Sequence, residues 1–557
     1  MTPSPIQVLF FSLTEAVVGF YLFPGIFPKG SLASFLIFFS SLNFTAYFGY
    51  VCYIYPYFRS PLRHLPQPPP ARWPLIQHGS MLFERTKGEA FLTMMKETED
   101  HGLIYFRSFF NAARVLVTDP AALGEVLVNR SYDFEKPMWA RQFLRQFLGD
   151  GLLITEGDEH KHQRKHIMPA FSFRHIKELY PVFCAKSFEL CKVIKTELAE
   201  SKDNVLEIGH YSTQVTMDII GLAGLGRDVG SLRNSDDELI KNYEELLQPT
   251  NEKAIYFILH IIFPQWLIQA LPWKLNHRIK VITSSLKRIC QDFVVEKKSR
   301  MKVETEESRD ILGIMLRSNN FSDDNAVDQL LTFLAAGHET TTSAFTWATH
   351  LLAIHPTSQS RLRAEIFAAI PSPSTLLSPT STSSPDFHDS ATLLESLPYL
   401  NAICNEVLRL YPTVPITART SVRDTQILGQ FIPRGTLVQI VPWAINRNPK
   451  LWGADAETFN PDRWIDAASG KATMNGGAMS NYAFLTFLHG PRSCIGERFA
   501  RAELRALLAA MVGCFKWEMA DPNEKIIIGG TITSKPVQGM KLKLVPIEWG
   551  EKVMAEK

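Results

Sequence analysis

Between Leu32 and Phe58 the chain carries no Asp, Glu, Lys or Arg. A helix needs about 20 apolar residues to cross a bilayer core, and this run exceeds that length. It reads as a transmembrane helix over about 32–57. Tyr50, Tyr53, Tyr55 and Tyr57 form an aromatic belt at its end, and Arg59 and Arg63 follow. Positive flanks place this C-terminal side in the cytosol. An earlier apolar run, about 6–27, contains Glu15 and Pro24 and is a second candidate span. No basic leader or small-residue cleavage site marks it as a signal peptide. The segment Leu65-Pro66-Gln67-Pro68-Pro69-Pro70 reads as a stiff extended linker. Residues 1–64 are therefore expected to form a membrane anchor, and residues 65–557 the main folded body.

The body shows no internal repeat. Short β-like runs lie at Leu103–Phe106 and Arg114–Val117. Helical periodicity dominates elsewhere, as in His175–Leu198, Val205–Gly224, Ile279–Arg300 and Asp328–Ile354. The expected class is mainly α with small β-sheets. A low-complexity stretch, 371–386, rich in Ser, Pro and Thr, reads as a surface insertion. The apolar stretch Ile255–Trp273 either packs in the core or dips into a bilayer surface. With 46% hydrophobic and 20% charged residues the chain is not a disordered one, and a net charge of +2 argues against a nucleic-acid partner. The seven Cys show no C-x-x-C and no regular spacing. That speaks against a disulfide framework or a zinc site and for a reducing compartment.

One cysteine has an unusual setting, F-L-T-F-L-H-G-P-R-S-C-I-G-E-R-F-A from Phe484 to Ala500. Gly490 and Gly496 permit close backbone approach on either side of Cys494. Pro491 stiffens the loop, Arg492 brings a permanent charge, and a helix starts just beyond, its dipole favouring a thiolate. A buried free Cys near a helix start is common, but this context suits one anionic sulfur held against a flat partner.

Phe487, Gly490, Arg492, Cys494 and Gly496 resemble the F-x-x-G-x-R-x-C-x-G ligand loop of the cytochrome P-450 family of haem-thiolate monooxygenases. Three further motifs follow the family's order. A-G-H-E-T-T, Ala336–Thr341, resembles its oxygen-activation motif, and Glu406-Val407-Leu408-Arg409 its E-x-x-R motif. F-N-P-D-R-W, Phe459–Trp464, is similar to the segment that adds Arg463 to that pair. The resemblance spans roughly residue 65 to the C-terminus and implies the cytochrome P-450 fold.

The residues also make physical sense. Ala335, Ala336 and Gly337 remove bulk, so a flat macrocycle could lie against the helix. Thr340 can bond the Ala336 carbonyl and open a groove, with Glu339 beside it. A Thr-rich stretch that merely packs is the plainer reading of Thr340–Thr342. Glu406 and Arg409 share a helix face, and with Arg463 form a structural triad.

By resemblance, the Cys494 thiolate is the axial ligand of haem b (iron protoporphyrin IX), and Thr340 and Glu339 are catalytic. Arg492, Arg164 and Arg419 reach the propionates, with His160 standing where the family's W-x-x-x-R helix usually has Trp. Trp139, Phe143, Ala335, Ile416 and Thr417 are candidate pocket residues for a small apolar substrate. The family inserts one atom of O₂ into an organic substrate, with electrons from NADPH through a separate NADPH–cytochrome P-450 reductase. Arg498, Arg501 and Arg505 either dock that reductase or form a solvated helix face. The overall pattern resembles membrane-bound filamentous-fungal members of secondary metabolism, lodged in the endoplasmic reticulum with the catalytic domain cytosolic. Two other readings stand beside the monooxygenase: a haem-thiolate isomerase or dehydratase needing no reductase, and a non-catalytic haem carrier.

Overall fold

A computed structural model describes residues 5–550 except 24, 27–30, 100, 235–236, 248–249, 304–309, 378–388 and 531. Most of the expected insertion at 371–386 therefore lies outside the described residues.

The N-terminal part is a helical hairpin. Helix Pro5–Leu22 packs against Leu32–Gly49, which continues as a π-helix, Tyr50–Arg59. Both segments are long and apolar enough to cross a membrane. Glu15 does not spoil the first: Asn43 of the second helix donates to its Oε2 at 2.5 Å and to Ser12 Oγ at 3.2 Å. The polar atoms satisfy one another across the hairpin, as apolar surroundings demand.

The linker departs from expectation. Leu62 is buried in the core of the body, the Pro66 carbonyl accepts from the Tyr105 N–H at 2.8 Å, and Gln67 accepts from Arg107. Tyr105 Oη also reaches back to the Pro56 carbonyl at 3.1 Å. The segment is thus packed onto the first strand rather than held off as a free spacer, and residue 64 is not a clean boundary. An unpaired strand edge explains this, since the linker backbone covers it.

That strand, Leu103–Arg107, opens a five-stranded sheet. Its order continues Ala113–Val117, Leu437–Ile440, Thr417–Ser421 and Phe134–Glu135. The first two pair antiparallel, Ile104 opposite Leu116, while Ala113–Val117 runs parallel to Leu437–Ile440. Long helices make the rest. Asp323–Ile354, capped by Ser322, is buried along most of its length and packs against Ile208–Ile220 and Glu497–Cys514. The expected helix Val205–Gly224 starts late. Val205–Glu207 instead forms a strand against Lys541–Lys543, its three residues fitting the edge of the C-terminal sheet.

Candidate active site

Cys494 is the one exposed cysteine, the other six being buried, and it lines a cavity of about 470 Å³. The loop is built as its glycines suggest, though for two different reasons. Gly490 has φ +76°, and a Cβ there would lie 2.1 Å from the Leu127 carbonyl oxygen, so only glycine fits. Gly496 has an ordinary φ of −88°; a Cβ would meet only Phe171 at 3.8 Å and the Cys494 sulfur at 4.0 Å. Its lack of a side chain keeps the space beside the sulfur clear. The Cys494 N–H donates to the Phe487 carbonyl at 2.8 Å, fixing the loop. The helix dipole does not by itself ionise the thiol. Burial pushes it up to about 11, and the Gly496 N–H and the Arg164 guanidinium only partly oppose that.

Another wall is the central helix, Asp323–Ile354. Ala335 and Ala336 line the cavity, and Thr340 Oγ1 donates to the Ala336 carbonyl at 2.7 Å. Gly337 serves a different contact: a Cβ there would lie 2.8 Å from Ile220, so it lets two helices approach. Glu339 is buried, and its Oε1 is held by Thr533 Oγ1 and Lys535 Nζ, each at 2.7 Å.

A third wall is cationic. Lys136, Arg164, Arg419 and Arg492 all line the cavity. Arg164 donates to the Ser493 carbonyl at 2.8 Å and Arg419 to the Ala418 carbonyl at 2.9 Å. Glu156 pairs with Arg492 at 2.6 Å and with Lys136 at 3.5 Å. Burial alone would raise Glu156, but Lys136 and Arg492 bring it below the usual carboxylate range. Burial lowers Lys136 to about 8 and Arg419 to about 10. His160 is buried, lowered to about 4 by burial and by Lys136, and its Nδ1 has no hydrogen-bond partner; nor has Arg492 Nε. Four cations around one carboxylate, with two orphaned ring and guanidine nitrogens, call for an anionic ligand. The sulfur, the two alanines and this cationic wall line one and the same cavity.

The Glu406 carboxylate takes Arg409 at 2.7 and 2.8 Å and Arg463 at 3.1 Å, together with Trp464 Nε1 and the Asn460 N–H, both at 2.9 Å. None of these lies on the cavity.

Of the five candidate pocket residues, Phe143, Ala335 and Thr417 line the cavity; Trp139 and Ile416 do not. Trp139 packs edge-on against Phe257, and Ile416 packs into the sheet core. Alternation explains Ile416: with Thr417 on the cavity side, its neighbour faces the other way. The expected basic face is also reduced. Arg501 pairs with Glu497 at 2.9 Å and lies over Phe487, and Arg505 donates to Asn401, leaving Arg498 as the exposed one.

Lys136, Glu156, Thr533 and Lys535 were not singled out from sequence. Each belongs to the site through contacts across the fold, and no spacing marks them.

Residues 66–543 match the family model described as Cytochrome P450. The chain is similar to the cytochrome P450 monooxygenase sphH of Aspergillus fumigatus, 44% identical over 506 residues, covering 90% of this chain and 91% of that protein. It is also similar to the monooxygenase ALT8 of Alternaria alternata, 35% identical over 553 residues (89% of this chain, 91% of that protein). The monooxygenase FUM15 of Gibberella moniliformis is 36% identical over 546 residues (90% and 91%).

Proposed function

The chain belongs to the cytochrome P450 family, whose members here are haem-thiolate monooxygenases, and from that premise we propose how its own residues serve the reaction. Cys494 would hold haem b through its sulfur, and Arg164, Arg419, Arg492 and His160 would receive its propionates, with Lys136 as a further cation. The observation that carries this reading is the cavity itself, lined by an exposed sulfur, by Ala336 and by cations that outnumber its carboxylates.

When bound, the haem supplies dioxygen activation, the thiolate favouring O–O cleavage. The protein's part is positional. Phe143, Phe333 and Leu504 give the cavity an apolar lining that excludes water and suits an apolar substrate. Thr340 presents its hydroxyl where the helix backbone is engaged by side-chain bonding, and Glu339 supplies a nearby carboxylate. Together they deliver protons. Electrons come from NADPH through a separate reductase.

We place the catalytic domain at residues 65–557, and the preceding residues from Pro56, packed onto its first strand, join it to the anchor. The two N-terminal helices hold it to the endoplasmic reticulum membrane, catalytic side cytosolic. Ile255, Phe263 and Trp266 present a second apolar surface to the lipid. The named fungal monooxygenase relatives support a role in fungal secondary metabolism, and their names do not favour an isomerase or a haem carrier.

Thr340→Ala tests the proton role, since it removes the hydroxyl at little cost in helix propensity. NADPH oxidation with reductase and substrate should continue while product falls and hydrogen peroxide rises. Unchanged coupling would remove Thr340 from the reaction.

A further inference from the structure

Glu339 and Thr340 are neighbours in sequence but not in orientation. Successive residues on a helix diverge by about 100°. Thr340 turns to its own helix, at the Ala336 carbonyl, and Glu339 turns to the C-terminal strand pair Ile528–Gly529 with Lys535–Pro536. Two groups hold the Glu339 carboxylate there: the Thr533 hydroxyl and the Lys535 ammonium, each at 2.7 Å on Oε1. Both residues also line the cavity. The Glu339 side chain is 7% exposed and that of Lys535 22%, so the lysine is the more accessible of the two. The other charged or titratable groups facing this pair are His338, on the same helix, and Lys253, from helix Asn251–Ile262. His338 is kept below its ordinary value by burial, against the pull of Glu339, so it brings no fixed cation to the pair. Lys535 is therefore the cation in direct contact with the acid.

We propose that Lys535 is a positioning residue for proton delivery. It holds the Glu339 side chain aimed at the strand pair, and so sets the side from which protons enter the cavity. A proton from solvent adds to a Glu339 carboxylate oxygen and is passed to the Thr340 hydroxyl oxygen, whose own proton goes to the oxygen atom that the reaction releases as water, so that both residues end as they began. Lys535 serves only as the hydrogen-bonding counter-ion. Removing a counter-ion from a buried carboxylate leaves an uncompensated charge, which such a group relieves by taking up a proton. The inference rests on the reading of Thr340 and Glu339 as the proton-delivering pair.

The test uses the full-length haem-loaded enzyme with Lys535→Met and Lys535→Arg. Infrared difference spectra of Lys535→Met should show a protonated-carboxyl band that wild type and Lys535→Arg lack, and Glu339→Gln added to Lys535→Met should remove it. Product formed per NADPH should fall several-fold in Lys535→Met, with peroxide rising, and Lys535→Arg should recover most of the loss. Lys535→Gln, polar and close in length, provides the same comparison if the Met variant loads haem poorly. Wild-type coupling without a new carboxyl band in either neutral variant would overturn the proposal. If Thr340→Ala uncouples turnover while the lysine variants do not, Lys535 alone loses its role. If Thr340→Ala leaves coupling unchanged, the pair itself is at fault, and a Glu339 carboxyl band in Lys535→Met would still support the charge-holding part.

Discussion

Arg409 closes both ends of its guanidinium on Glu406, Nη2 to Oε1 at 2.7 Å and Nε to Oε2 at 2.8 Å, with neither side chain exposed. Removing one partner leaves a buried charge without compensation, and costs of about 3–5 kcal/mol are typical of such breaks. Glu406→Ala is therefore expected to abolish the folded, haem-loaded protein, as read by haem content after purification. Arg409→Lys should fail as well, because a single ammonium cannot reproduce the two parallel hydrogen bonds and the contacts to the Asn446 and Thr458 carbonyls.

The two glycines of the cysteine loop separate backbone constraint from ligand space. Gly490→Ala drives a carbon into the Leu127 carbonyl from a positive φ and should prevent loop formation, with no haem retained. Gly496→Ala meets no protein atom closer than 3.8 Å and should fold. Its methyl group stands beside the sulfur, so the effect belongs to haem affinity and the Soret position.

The anchor prediction follows from the packed linker. Deleting residues 1–49 should release a soluble or weakly membrane-associated, haem-binding domain. Deleting residues 1–64 also removes Leu62 and the Pro56 carbonyl contact, and should lower the thermal midpoint measurably. Flotation on vesicles and thermal unfolding of the two truncations check this. Equal midpoints would show that the 50–64 segment contributes nothing to the fold.

His350 predicts an acid limb. It is buried beside Trp347, its Nδ1 has no hydrogen-bond partner, and burial lowers it to about 4 from an ordinary 6.5. The unfolded chain binds this proton more readily than the folded one. Its contribution to stability is therefore whole above about 6.5 and is lost as pH falls toward 4. His350→Phe should flatten the stability–pH curve in that window, measured by denaturant unfolding at several pH values.

These sites were not equally legible in the sequence. Glu406 and Arg409 declare themselves because a three-residue spacing is a helix-face neighbourhood. Cys494 does so because glycine, proline and arginine crowd around it. Both are local patterns. Thr533 and Lys535 stand 194 and 196 positions from Glu339, and only the return of the C-terminal strand pair brings them together. Glu156 and Lys136 likewise acquire meaning only when Arg492 arrives from the far end of the chain. Trp139 and Ile416 mark the opposite failure: their residue type suited a pocket, but side-chain direction assigned them elsewhere. The Glu15–Asn43 bond explains why an acid in an apolar run need not end it.

The central claim is that Cys494 would bind the haem iron as a thiolate. The reduced carbon monoxide spectrum of the purified, haem-loaded protein tests it most directly. Wild type should give the red-shifted Soret band of thiolate ligation, and Cys494→Ala should lack it. A folded, haem-loaded wild-type protein without that band, or a Cys494→Ala variant that retains it, would contradict the account.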